Sequence, residues 1–328
     1  MEQVRIAVVG VGSLGESHVR VIKELSSVYL SGIYDISQRR ADEIAQKYDT
    51  KTYANLTEIV EDATAVTVVV PTTAHYAVAS YMLSNNLHTF VEKPITQTVE
   101  EAEHLIQLSE SRNRVLQVGH IERFNNAFTA IEGISVSPGF IESHRLASFD
   151  PRGTDVSVIH DLMIHDIDLI RCLVQADLEK IDATGVAVIS DQVDIANARL
   201  LFVNGCVANI TASRISLKKM RKMRIFQKDH YISMNFLTGE SEIYQLITEP
   251  NSAINKRSGI PIKTVSGPNK QIVIQKNTKK SIEPLKLELD SFARAVRGEA
   301  DPPINGYDGR EALRISLQII DQINSRHP

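Results

Sequence analysis

Tryptophan is absent from this sequence, cysteine occurs only twice, at Cys172 and Cys206, and aromatic residues make up 5% of the chain. Two cysteines cannot build a disulfide scaffold, and their spacing fits neither a CxxC redox motif nor a zinc site. A reducing cytoplasm is the expected location. Long hydrophobic runs are missing too: the longest, residues 65–70, falls far short of the ~20 residues that cross a bilayer. The opening MEQVRIAVVGVG has too few apolar residues before its first glycine for a secretory signal. Nor is one sign of charge in excess, since 36 Lys and Arg stand against 40 Asp and Glu, a formal net charge of −4. That balance supplies no global field for nucleic acid or an anionic membrane, and neither is an expected partner.

What is present is an ordinary globular composition: 328 residues, 43% apolar and 23% charged. That length is enough for two domains with their own cores. Over residues 1–120, short β-branched runs alternate with amphipathic helical patterns, the signature of βα units around a doubly wound parallel sheet. Strands are expected at residues 4–9, 30–34, 65–70, 88–91 and 115–118, and Thr98 with Glu101 forms a capping box. Residues 121–328 read as an α/β domain with an open, mostly antiparallel sheet. A helical pattern over 155–174 precedes strand-length runs at 181–189, 195–203, 206–215 and 231–236, with an Asn204-Gly205 hairpin turn. A polar excursion over 248–283 follows, then helices at 285–296 and 309–323, the last expected to pack back on the first domain. Outward apolar residues such as Val207 and Ile210 would give the second sheet a face suited to self-association.

Gly10, Gly12 and Gly15 form a GxGxxG at the junction of the first strand and first helix. Such glycines allow a tight turn, close approach to a pyrophosphate and close helix packing, and the helix amino terminus supplies free N–H groups. Asp35 ends the second strand, where a carboxylate can accept from the adenosine ribose 2′-OH. A dinucleotide is the implied ligand. Asp35 favours NAD over NADP, whereas Arg39 and Arg40 are either cations for a 2′-phosphate or a solvated helix start.

Glu92, Lys93 and Pro94 follow the fourth strand at the carboxyl edge of the sheet. Lys93 is either a proton shuttle, its pKa lowered by the neighbouring nicotinamide cation, or a surface lysine paired with Glu92. In VSVIHDLMIHDIDLI, Asp161, His165 and Asp168 recur at i, i+4 and i+7 on one face of an apolar helix. This stripe is a satisfied core network, the wall of a reactive pocket or, less simply, part of a metal site for which no further ligand stands out; no metal is expected. His18 and His75 read as packing or capping histidines. Lys218, Lys219, Arg221, Lys222 and Arg224 read as a solvated strand connection or a phosphate-binding patch.

The segments GVGSLGESH, PTTAHY, EKP, DLMIH, LELDSFARAVRG and PPINGYDGREAL together resemble the glucose-fructose oxidoreductase, inositol dehydrogenase and rhizopine catabolism family, along essentially the whole chain. The resemblance implies a Rossmann domain and a second domain whose sheet makes oligomer contacts, in a homodimer or homotetramer. It implies oxidation of a secondary alcohol of a sugar, cyclitol or nucleotide sugar, with Lys93 and His165 as the proton-accepting pair and Asp161 assisting. By the same resemblance Ser13, Leu14, Arg40, Pro71, Thr72, His75 and Glu92 join the glycines and Asp35 at the cofactor. GHIERFN and HDLMIHDIDL are similar to the branch that oxidises the 3-OH of UDP-N-acetylglucosamine ahead of amination. On that reading Arg123 and Asn125 are expected near substrate, and Arg123, Arg152 and Arg214, on segments expected to border the crevice, are candidate cations for a nucleotide sugar's pyrophosphate. Dehydrogenases of free sugars or cyclitols, and non-catalytic dinucleotide-binding regulators, are the competing readings.

Overall fold

The computed structural model describes residues 3–150, 156–247, 260–262, 270–277 and 282–326. The chain divides into two compact units, Met1–Phe124 with Ile282–Arg314, and Asn125–Ser281 with Ile315–Pro328.

The first unit alternates β1 (Val4–Val9), α1 (Ser13–Glu24), β2 (Val28–Tyr34), α2 (Gln38–Tyr48), α3 (Leu56–Asp62), β3 (Ala65–Val68), α4 (Thr72–Ser84), β4 (His88–Glu92), α5 (Val99–Ser111) and β5 (Leu116–Gly119). The strands form one parallel sheet in the order β2-β1-β3-β4-β5. Their nearly continuous burial follows from helices on both faces. The Thr98–Glu101 capping box is present at the start of α5. Helix α3 had no counterpart in the sequence reading; its start is fixed by Asn55, whose side chain accepts from the Glu58 N–H.

In the second unit come α6 (Asn126–Thr129), β6 (Phe140–Leu146), a π-helical turn (Ile159–Met163), α7 (Ile164–Val174), β7 (Leu178–Val186), β8 (Ile195–Phe202), β9 (Val207–Ser213), β10 (Met220–Gln227), β11 (His230–Asn235), β12 (Glu240–Ile247), β13 (Ile260–Ile262) and β14 (Lys270–Asn277). Nine strands make a sheet in the order β13-β14-β12-β11-β10-β6-β9-β8-β7, antiparallel except for the β6–β9 pair. One face is buried, and α7 packs on β6 and β9. The basic run splits: Lys218 and Lys219 are exposed in the connection before β10, whereas Arg221, Lys222 and Arg224 lie on that strand, where Met223 and Ile225 point into the core and Arg224 pairs with Glu142 at 3.0 Å. Ile210 is also a correction. It is fully buried, while Val207, three residues away on a period-two strand, faces the other way.

The carboxyl-terminal segments do not all stay with the second unit. In α8 (Pro284–Val296), Leu285, Leu289, Phe292 and Ala293 join the first unit's core with Val19, Ile22 and Phe90. Helix α9 (Gly306–Arg326) begins in the first unit and ends in the second. No described helix is long and apolar enough to cross a membrane.

Buried ion pairs fasten the second unit. Arg145 on β6 and Asp166 on α7 are both about 2% exposed and meet at 2.7 Å, and Ser143 donates to the same carboxylate. Asp194 accepts from the N–H groups of Val188, Ile189 and Ser190 and lies 3.2 Å from the Arg214 guanidinium. Burial alone would raise its pKa, but the donors win and hold the carboxyl far below its usual range. Removing one partner of a buried pair strands the other, so Arg145→Leu is expected to lower the unfolding free energy by about 3–5 kcal/mol in urea titrations; a loss under ~1 kcal/mol would refute that role. Asp194→Asn is expected to destabilise at pH 7, with the difference from wild type shrinking as pH falls below about 4, because there the carboxyl binds a proton in the unfolded chain while the folded site still resists it.

Candidate active site

The strand order reverses between β1 and β3, and the carboxyl ends of β1 to β4 border a crevice of about 580 Å³. Gly10, Gly12, Ser13, Leu14, Gly15, Asp35, Pro71, Thr72, His75, Glu92 and Lys93, all expected at the cofactor, line it. A Cβ on Gly15 would sit 1.9 Å from the Gly10 carbonyl oxygen, so helix α1 and the end of β1 touch through backbone alone. Gly12 differs: its Cβ would meet nothing within 4 Å. Packing does not require that glycine, whereas a ligand approaching the backbone does. Gly12 also provides no side-chain cap, leaving the first N–H groups of α1 available to an anion. These features fit a dinucleotide pyrophosphate.

Asp35 is fixed against the glycine loop, accepting from the Val11 N–H at 2.8 Å and the Ser37 N–H at 2.9 Å. Arg40 lies on the other side of Val11, donating to its carbonyl at 2.9 Å and to Glu16 at 2.6 Å. Arg39 points to solvent and pairs with Glu43.

Lys93 follows a buried carboxylate. Glu92 lies 3.1 Å from the His18 Nε2 and accepts from the Lys93 N–H at 3.2 Å. Burial raises its pKa, yet the His18 contact and the Lys93 charge bring it below the ordinary value. His18 is thus a partner of the EKP segment rather than simple packing. The signal was the GxGxxGxxH spacing, which turns His18 toward the sheet three residues after Gly15. His75 is buried in the crevice wall with its ring nitrogens 2.8 Å from the Pro94 oxygen and 2.9 Å from the Val70 oxygen; burial lowers its pKa against those carbonyls. Tyr34, Ile36, Val69, Val70, Ala74 and Val78 also line the crevice and were not anticipated. They are apolar or aromatic residues at strand ends and on a helix face, indistinguishable in the sequence from core.

Asp161 and His165 belong to the second unit, Asp161 in the π-helical turn and His165 in the first turn of α7, and both are partly accessible. Asp168, expected on the same face, is buried. The carboxylate that ties this helix to the sheet is Asp166, which the sequence reading passed over. Of the expected substrate contacts, Arg123 donates to the Pro303 carbonyl and Asp308 within the first unit. Asn125 caps α6 and donates to the Phe236 carbonyl. Arg214, expected to reach a pyrophosphate, is 4% exposed and engaged by Asp194 and the carbonyls of Val156 and Val193. Arg152 lies outside the described residues. Among those residues, no group of three or more His, Cys, Asp or Glu could hold a metal ion.

Residues 4–120 match an oxidoreductase family with an NAD-binding Rossmann fold, and residues 139–232 match the carboxyl-terminal domain of the same family. The chain is 33% identical to UDP-N-acetylglucosamine 3-dehydrogenase of Acidithiobacillus ferrooxidans over 97% of both chains. A solved structure of that protein superposes with a TM-score of 0.88, covering 99% of each chain at 31% identity. Myo-inositol 2-dehydrogenase of Thermotoga maritima is 23% identical over 94% of this chain and 93% of its own. With a dinucleotide crevice in the first unit and family matches across both, the chain belongs to the Gfo/Idh/MocA oxidoreductase family and is a nicotinamide-dependent dehydrogenase of CH–OH groups.

Proposed function

We propose that this enzyme uses NAD to oxidise a secondary alcohol of a nucleotide sugar, the 3-OH of UDP-N-acetylglucosamine. The observation that carries the substrate is the 33% identity, over nearly the full length of both chains, to a relative that bears that name. Preference for NAD is supported by Asp35, a carboxylate at the crevice edge that would repel a ribose 2′-phosphate.

The glycine loop, Asp35, His75 and Lys93 line the crevice that would hold the oxidised nicotinamide dinucleotide, which would supply the hydride acceptor for the alcohol carbon. The chain's task is to take the hydroxyl proton and orient the alcohol. Lys93 and His165 form the proton-accepting pair, and Asp161, four residues before His165, assists it. Alcohol and oxidised dinucleotide become ketone, reduced dinucleotide and one proton, so turnover rises with pH and with removal of the ketone. The enzyme works as a homo-oligomer. Supporting this is a row across the open sheet face, where Val207, Phe140, Phe226, Tyr231, Tyr244 and Ile274 stand side by side in register. Phe226 and Tyr231 stack at 5.0 Å, and Tyr231 and Tyr244 lie 5.1 Å apart. A contiguous apolar row of this kind calls for a second surface.

Incubation with NAD, UDP-N-acetylglucosamine and an amine-transfer system that consumes the ketone is expected to raise the absorbance of reduced cofactor. Turnover with free inositol or glucose but not the UDP-sugar would replace this substrate by a plain sugar or cyclitol. Lys93→Met is expected to lower turnover by about 10² or more while NAD affinity stays within a few-fold, and unchanged turnover would remove Lys93 from the mechanism. Light scattering at micromolar concentration should give a dimer or tetramer that Tyr231→Glu dissociates; a monomeric wild type would refute the assembly.

A further inference from the structure

We infer that Glu16 is a cofactor-specificity residue, which holds Arg40 and Lys47 in a closed ion-pair cluster and so withholds them from a phosphate on the adenosine ribose. This inference rests on reading the crevice as an NAD site. Discrimination against a 2′-phosphate is usually laid to the carboxylate at the end of β2, here Asp35. Around Asp35, however, the structure also gathers the cations that a 2′-phosphate site would use. Arg40 reaches the carbonyl of Val11, the residue whose N–H is bound by Asp35, so only one residue's backbone separates the guanidinium from the carboxylate.

Arg40 does not face the crevice as an open cation. Its Nη2 donates to Glu16 Oε2 at 2.6 Å, and its Nη1 lies 3.6 Å from Glu43. The second oxygen of Glu16 accepts from Lys47 at 2.7 Å and from the Tyr48 hydroxyl at 3.4 Å. Hydrogen bonds from Lys47 and Arg40 pull the Glu16 pKa down, and Glu16 pushes that of Lys47 up, so the cluster is fully charged at neutral pH. Asp35, Glu16 and Glu43 offset Arg39, Arg40 and Lys47. A 2′-phosphate arriving here meets no net positive charge, and the guanidinium fork suited to it is already closed on a carboxylate. Two devices therefore act in series. Asp35 repels, and Glu16 sequesters.

This arrangement predicts non-additivity. Removing Asp35 alone leaves Arg40 locked, and removing Glu16 as well frees it. A purely structural Glu16, favouring the positive end of α1 and tethering α2, would change stability without changing discrimination. The test is fluorescence titration of NADPH and NADH into the full chain, reading the ratio of the two dissociation constants. Adding Glu16→Gln to Asp35→Ser is expected to improve that ratio toward NADPH by about tenfold, and a further Arg40→Leu is expected to reverse the gain. A change under twofold on adding Glu16→Gln overturns the inference. A second measurement does not need Glu16 altered: in Asp35→Ser, Arg40→Leu should leave NADPH affinity within twofold, and a fivefold or greater loss would show Arg40 already engaged with the phosphate and overturn it. Wild type that binds NADH leaves the cofactor reading standing whichever way these variants fall, whereas wild type that binds neither dinucleotide overturns both.

Discussion

A single buried carboxylate, that of Glu92, sets the geometry of the dinucleotide half. An ionised group in such a place is tolerated only if its hydrogen-bonding capacity is met, because its desolvation is worth several kcal/mol. Glu92 meets it with His18 from α1 and with the N–H of Lys93. It also presses on the end of β5, where a Cβ on Gly119 would fall 2.8 Å from its carboxylate. Three segments far apart in the chain, the glycine loop with its helix, the EKP turn and the start of GHIERFN, are thereby drawn to one charge. Lys93 projects from a backbone pinned by its neighbour.

A parallel arrangement stands behind the other proposed reacting groups. His165 is followed by Asp166, whose carboxylate is held by Arg145 and Ser143 on the sheet. In each unit, then, a partly accessible group proposed for proton transfer sits next in sequence to a buried carboxylate engaged from behind. The buried member fixes the backbone and the accessible member keeps its freedom to react, a division consistent with rigid support beneath a working side chain.

The dinucleotide half was legible because its signals are local. Alternating βα patterns, three glycines, Asp35 and the Thr98–Glu101 box each act within a few residues, and the structure has all of them. What escaped depended on partners distant in sequence or on an alternation masked by charge. Strand β10 carries Met223 and Ile225 in alternation, but Arg221, Lys222 and Arg224 between them masked it. Asp166 was hidden because the groups that hold it, Arg145 and Ser143, lie on β6, far from it in the sequence. The GxGxxGxxH spacing turns His18 toward the sheet but names no partner there; its role required Glu92, as the burial of Arg214 required Asp194. The return of α8 to the first core was equally silent, since its apolar face names no partner.

The order of the nine-stranded sheet carries a consequence for how the chain reaches it. Strands β7, β8 and β9 form one meander, and β10, β11 and β12 form another, each built from neighbours in sequence. Yet β9 and β10, consecutive in the chain, do not pair, because β6 lies between them and bonds to both. Each meander can assemble early from short-range contacts, but neither can find the other until a strand made much earlier in synthesis takes the central place. Joining the halves is therefore a long-range event, the kind that slows folding. Until then both meanders expose the inner edges, β9 and β10, that β6 will cover, so the interval before its insertion is when this chain is most open to pairing with the wrong strand.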